Sequence, residues 1–164
     1  MRSLLRLGLL SVTLFGFAVS RASAQGTVCP ITSIQTQNYG VGTGAFGPPP
    51  VMKIGWDATV CGLRVQIQAL QCCNTFIDRH WLLYGTAQLP APMLLPTPPF
   101  FDFAFLYILP IDALEAPGTQ QTIAPITDPT LVGMTFELQS ILSYRTFGQF
   151  DGFGVTDAVT LKFL

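Results

Sequence analysis

Apolar and polar residues alternate along several short stretches of the chain. From Val132 on, Val132, Met134, Phe136 and Leu138 are apolar, while Gly133, Thr135, Glu137 and Gln139 are small or polar. A period of two predicts a strand with one face in a core and the other toward water. Asp128-Pro129 opens a turn just before it, so the strand is expected over Leu131–Tyr144. Val60–Leu70 repeats the pattern, with Leu63, Val65, Ile67 and Ala69 opposite Arg64, Gln66 and Gln68. Val155–Phe163 does so with Val155, Val159, Leu161 and Phe163. Trp81–Gly85 and Phe103–Leu109 are apolar at consecutive positions, which predicts strands interior to a sheet or between two layers. Ile31–Tyr39, Val51–Trp56 and Gln120–Ile126 read as shorter strands. No segment combines a sustained helical period with good caps.

About eight strands divided by Gly and Pro turns predict an all-β chain, a single antiparallel β-sandwich of jelly-roll or Ig-like type. The rival is an eight-stranded outer-membrane barrel, which needs alternating segments of about ten residues. The chain's 13 prolines, its cysteines and its continuous apolar runs oppose that reading. Pro90, Pro92, Pro96, Pro98 and Pro99 crowd one stretch. Proline donates nothing to a ladder, so a loop or a sheet edge is expected there, not an interior strand. Its large apolar residues, Met93, Leu94, Leu95, Phe100 and Phe101, either fold back over the end of the sandwich or face a partner.

The first 24 residues change the picture of where the chain works. Arg2 and Arg6 precede an apolar run from Leu7 to Val19, and Ala22-Ser23-Ala24 forms an A-x-A site. This is the pattern of a cleaved secretory signal peptide. The apolar run is short of the roughly 20 residues that span a bilayer. Residues 1–24 are therefore read as a signal peptide and 25–164 as a single domain, secreted or at the cell surface, with no membrane span after cleavage. Cleavage leaves five basic and nine acidic residues, a formal charge of −4. With no basic patch, nucleic acid is a poor partner. Charged residues make up only 10% of the chain and apolar ones 49%, which favours self-association or an apolar partner surface.

All four cysteines, Cys29, Cys61, Cys72 and Cys73, follow the signal segment. An even count in an exported chain favours disulfides over thiol chemistry. Adjacent cysteines and one histidine do not supply the ligand pairs of a zinc site, so no metal is expected. If Cys61 to Cys73 is one extended strand, its ends lie about 35–40 Å apart. A bridge needs Cα atoms within about 7 Å. The favoured pairing is then Cys29 with Cys61, leaving Cys72 and Cys73 as a vicinal pair or free thiols.

Few residues offer chemistry. Gly42, Gly44 and Gly47 match G-x-G-x-x-G, but Pro48-Pro49-Pro50 follow where a nucleotide site needs a helix N-terminus. No cofactor is expected. His80 is the one histidine and would have to centre any hydrolytic triad; no G-x-S-x-G elbow accompanies it. An ordinary edge position beside Trp81 is the better reading. The acids are scattered in turn contexts, and Asp151 and Asp157 lack the ligand pattern of a calcium loop. Among the aromatics, Trp81 and Tyr84 read as core. Trp56, at a strand end beside Asp57, is the candidate for an exposed carbohydrate-binding ring.

The run Asp128-Pro129-x-Leu131-Val132-Gly133-x-Thr135-Phe136-x-x-Gln139, a glycine-rich turn, and Thr156-Asp157-Ala158-x-Thr160-Leu161 together resemble the C-terminal half of a group of proteins. These are small exported β-sandwich proteins of planctomycete and myxobacterial type. Tyr39-Gly40-x-Gly42 also fits. The resemblance covers about the last 60 residues. Asp157 stands where that group often has Asn, and the Gly-Cys pair that often precedes its middle strands is missing near Phe101-Asp102. The resemblance implies a sandwich and export, and carries no activity. The expected function is a non-catalytic structural or interaction module at or outside the cell envelope, with a protein or polysaccharide partner. The alternatives are a carbohydrate-binding module using exposed aromatics and a hydrolase centred on His80.

Overall fold

The computed structural model describes residues 28–44, 48–69, 74–95 and 104–164. Within them lie β1 (Ile34–Tyr39), β2 (Val51–Asp57), β3 (Gly62–Gln68), β4 (Thr75–Gly85), β5 (Ala87–Leu95), β6 (Ala104–Leu109), β7 (Asp112–Pro117), β8 (Gln120–Ile123), β9 (Thr135–Thr146) and β10 (Gln149–Phe163). A five-stranded sheet runs β1-β10-β9-β4-β7, a three-stranded sheet runs β2-β3-β8, and β5 pairs with β6. All pairings are antiparallel. The two larger sheets are open, edged by β1 and β7 and by β2 and β8, and they pack as a sandwich rather than closing a barrel.

The alternation in β3 explains the packing. Leu63, Val65 and Ile67 are buried, while Arg64, Gln66 and Gln68 face outward. Leu63, Val65 and Met52 share one buried cluster with Leu82, Leu138, Val159 and Leu161 of the five-stranded sheet. Burying such a side chain contributes about 1.5–3 kcal/mol each, so this interlayer core is the main hold between the sheets. Cys29 and Cys61 form a disulfide with Cα atoms 5.4 Å apart. It ties the segment before β1 to the β2–β3 turn, beside the fully buried Ile31. Cys72, Cys73 and the signal segment lie outside the described residues.

The fold differs from expectation in four places. The strand expected from Leu131 begins at Thr135; Pro129–Leu131 is instead a 3-10 turn whose cap, Asp128, accepts from Thr130 N. Val132 and Met134 are consequently exposed. Asp112–Pro117 is a strand without an apolar alternation to announce it. The described part of the proline-rich stretch is strand β5, mostly exposed, as an edge can be. Its pairing with β6 is interrupted between Gln88 and Met93, where Pro90 and Pro92 fall. The strand count is therefore ten, not eight.

The fourth difference matters most. Glu137 and Gln139, expected to face water, are buried. The β5–β6 hairpin lies over this half of the five-stranded sheet, with Leu106 and Ile108 packed on Leu83 and Ala158. Gln139 accepts from Tyr107 N at 2.9 Å and donates to Phe105 O at 2.8 Å and Thr156 O at 3.0 Å. One side-chain amide thus satisfies backbone groups on β6 and β10 that the covering layer removes from water. Glu137 accepts from the Tyr39 hydroxyl and from Thr160 Oγ1, each at 2.9 Å. The Tyr107 ring sits against Gly40 (φ +72°), where a Cβ would come within 2.7 Å of it. Its hydroxyl accepts from Val41 N at 3.0 Å. The hairpin is therefore docked by polar contacts as well as apolar ones.

Candidate functional site: an aromatic face

The remaining half of that outer face carries a different set of residues. Three rows cross it. Arg145 on β9 is paired with Phe76 on β4 and Phe150 on β10; Ser143 is paired with Arg79 and Phe153; Ile141 is paired with Trp81 and Val155. Two β-bulges, at Ile77/Arg79 and Phe150/Gly152, keep Phe76, Arg79, Trp81, Phe150 and Phe153 on one side of the sheet despite their uneven spacing. The Phe153 ring lies 5.0 Å from Phe150 and 6.0 Å from Trp81, tilted 60° to each. Phe76 is 40% exposed, Phe150 52%, and Phe147, at the β9–β10 turn, 76%. Large aromatic rings this exposed, and adjacent, are uncommon on a surface that faces only water.

Charged groups interleave with the rings. Arg145 Nε lies 2.9 Å from Asp78 Oδ2, and Arg79 Nη1 lies 2.6 Å from Glu115 Oε1. The hydrogen bond to Glu115, then its charge and that of Asp78, raises the Arg79 pKa above its ordinary value. Arg145 also donates to Gly148 O in the β9–β10 turn at 3.0 Å. Two cations and two anions compensate one another, so the face is apolar and neutral with a polar weave.

The residues singled out in the sequence lie elsewhere. Trp56 is half-buried, edge-on to Phe163 at 6.2 Å in the interlayer core. Its Nε1 is buried with no hydrogen-bond partner among the described residues. Trp81, expected in the core, is the tryptophan on the aromatic face. His80 is fully buried in β4, a central strand, and not at an edge. Its Nδ1 lies 2.9 Å from Gly118 O, and no carboxylate, hydroxyl or thiol partner joins it among the described residues. That contact holds the β7–β8 turn, which passes from one sheet to the other. Asp151 accepts from Thr146 Oγ1 at 2.6 Å, and buried Asp157 accepts from Met52 N and Asn38 Nδ2, both at 2.7 Å. Both acids thus serve the fold. Gly42 and Gly44 lie on the β1–β2 crossing, where Thr43 bridges Val155; Gly47 is outside the described residues. Among the described residues no three His, Cys, Asp or Glu side chains cluster as metal ligands. No described helix is long and apolar enough to cross a membrane.

Two clefts lie away from this face. A polar one of about 460 Å³ lies on the outer face of the three-stranded sheet, beside Asp57, Arg64, Gln66 and Gln120. An apolar one of about 300 Å³ opens between the sheets, lined by Leu63, Leu82, Leu114, Phe136 and Phe163 among others. Neither gathers exposed rings. Fold and face together define a β-sandwich with a covered polar half and a bare aromatic half on one sheet surface. The chain matches no protein-family model, no curated protein and no solved structure.

Sequence reasoning missed Phe76, Phe150 and Phe153. A signal was present: Phe147-Gly148-x-Phe150-Asp151-Gly152-Phe153-Gly154 places three phenylalanines among turn glycines, and residues near a hairpin tip have little core to enter.

Proposed function

We propose that this chain is a non-catalytic, exported β-sandwich that works as an interaction module at or outside the cell envelope, engaging its partner through the aromatic face. The observation that carries the reading is the aromatic row with exposed Phe76 and Phe150 and half-buried Phe153 and Trp81, into which Arg79 and Arg145 are set. Aromatic and Arg side chains are enriched where protein surfaces bind tightly. The Cys29–Cys61 disulfide supports export, since such bonds persist in oxidising compartments. Burial of His80, with its Nδ1 on Gly118 O, favours a role in the fold over one in hydrolysis.

Carbohydrate binding is the second reading, favoured by Trp81, whose ring offers an apolar body beside the polar Arg79 and Glu115. The test is co-sedimentation of the purified protein with isolated cell envelopes and with insoluble cellulose and chitin. Phe76→Ser with Phe150→Ser should cut envelope retention at least about tenfold, the loss expected when hot-spot rings are truncated, with an unchanged melting temperature. Retention that survives this pair but fails in Trp56→Ala would move the site to Trp56. Ester or glycoside hydrolysis abolished by His80→Ala would overturn the non-catalytic reading.

A further inference from the structure

We infer that the partner seated on the aromatic face is a second copy of this chain. The inference rests on the interaction-module reading and adds to it the identity of the partner. Three observations point the same way. First, the face is electrically self-compensated: Arg145 is paired with Asp78 and Arg79 with Glu115. Every other charged side chain among the described residues lies off this face, and there acids outnumber bases by three. Two identical acidic molecules repel each other least where charge is balanced, and the aromatic face is a surface that combines such balance with exposed rings. Second, the ion pairs are exposed and of mixed sign, with side-chain exposures of 56% for Arg79 and 47% for Glu115. Under a two-fold axis Arg79 of one copy can meet Glu115 of the other, because an isologous contact presents each group to its own complement. A strongly basic or acidic partner would find no unpaired opposite charge here. Third, Phe150, Phe153 and Trp81 are in ring contact, with Phe76 across Arg145 from Phe150 and Arg79 in register with Phe153; aromatic and Arg side chains together are the types enriched where proteins associate.

Sedimentation velocity over a range of protein concentrations tests this directly. The unaltered protein should shift from monomer to dimer as concentration rises. Phe150→Glu puts an acid at the centre of both facing surfaces and should weaken the dimer at least about tenfold, with its melting temperature little changed. Glu115→Arg should weaken it too, by giving each face a net positive charge. Arg79→Glu combined with Glu115→Arg restores both neutrality and the internal pair, and should restore association; Glu115→Arg alone should keep the unaltered melting temperature, whereas a purely structural role for the pair would lower it. A protein that stays monomeric at every concentration, or a dimer indifferent to Phe150→Glu and Glu115→Arg, overturns the inference. The two readings fail differently. A monomer retained on cellulose, chitin or envelopes in a Phe150-dependent way removes the second copy and keeps the face. A Phe150→Glu variant unchanged in both association and retention removes the face as well.

Discussion

One sheet surface holds two regions that invert the usual rule. Under the β5–β6 hairpin, Glu137, Gln139 and Thr160 are polar and covered. Beyond it, Phe76 and Phe150 are aromatic and exposed, with half-buried Phe153 beside Phe150. Both regions lie on the same face of the same strands, so strand propensity does not separate them. The covering layer does. Where it lies, the sheet supplies side-chain hydrogen bonds to the layer's backbone, because a buried unpaired peptide group is costly. Where it stops, the sheet supplies rings with no described partner large enough to bury them. The first pattern belongs to folding and the second to association.

The largest effect should come from the covered region. Gln139→Leu removes the partner of Tyr107 N, Phe105 O and Thr156 O. Each buried group left unmade costs about 1–3 kcal/mol, so urea unfolding should show a loss of about 3 kcal/mol or more. A loss below about 1 kcal/mol would mean that the hairpin is not docked through this amide. Glu137→Gln should follow, at about 1 kcal/mol, since the amide oxygen can take the bonds from Tyr39 and Thr160 but its NH2 cannot accept from Gln88 Nε2, and the charge that strengthens all three is lost. A silent Glu137→Gln would place this carboxylate in water.

Tyr39 makes the same region sensitive to alkali. Burial, then its hydrogen bond to Glu137 and that group's charge, raise its pKa well above the ordinary value of about 10. A hydroxyl whose folded pKa exceeds its unfolded one contributes stability in full below about pH 10, and loses it as pH rises from there toward the folded value. Thermal melts from pH 8 upward should therefore fall more steeply beyond about pH 10 for the unaltered protein than for Tyr39→Phe. Identical slopes would show that the hydroxyl is not held neutral.

The bare region should respond least. Phe150→Ser is expected to change unfolding free energy by less than about 1 kcal/mol, as for surface substitutions generally. Leu142→Ala in the core beneath it should cost about 2–5 kcal/mol. Comparable losses in the two variants would mean that Phe150 is core.

Much of this was legible before the structure. The alternation in β3 marked its buried face residue by residue, and the positions of Cys29 and Cys61 indicated the bridge. The proline-rich stretch read as a loop or a sheet edge, and its described part, in β5, is an edge strand. What alternation cannot say is whether the second face of a sheet is covered. It assigns Glu137 and Gln139 to the side away from Leu138 and stops there; their burial depends on β6, more than 25 residues upstream, folding over them. The same gap misplaced the tryptophans. Trp81 sits in an apolar run and reads as core, yet its side of β4 lies beyond the hairpin's edge. Trp56 stands beside Asp57 and reads as exposed, yet its side of β2 faces Phe163. Asp128-Pro129 fixed a turn correctly, but proline's φ suits a 3-10 turn as well as a strand entry, and the strand starts six residues after Pro129. Asp112–Pro117 pairs as a strand at an edge, where packing on one side suffices and no alternation is required.

Hydroxyl-radical footprinting read by mass spectrometry, at low and high protein concentration, addresses the division of this surface most directly. Phe76, Phe150 and Trp81 should lose reactivity as concentration rises, while Met93 and Met134, both exposed but away from the aromatic rows, should keep theirs. Reactivity at the rings that is independent of concentration, or protection that falls on Met93 or Met134 instead, would contradict the assignment of the bare aromatic half to association.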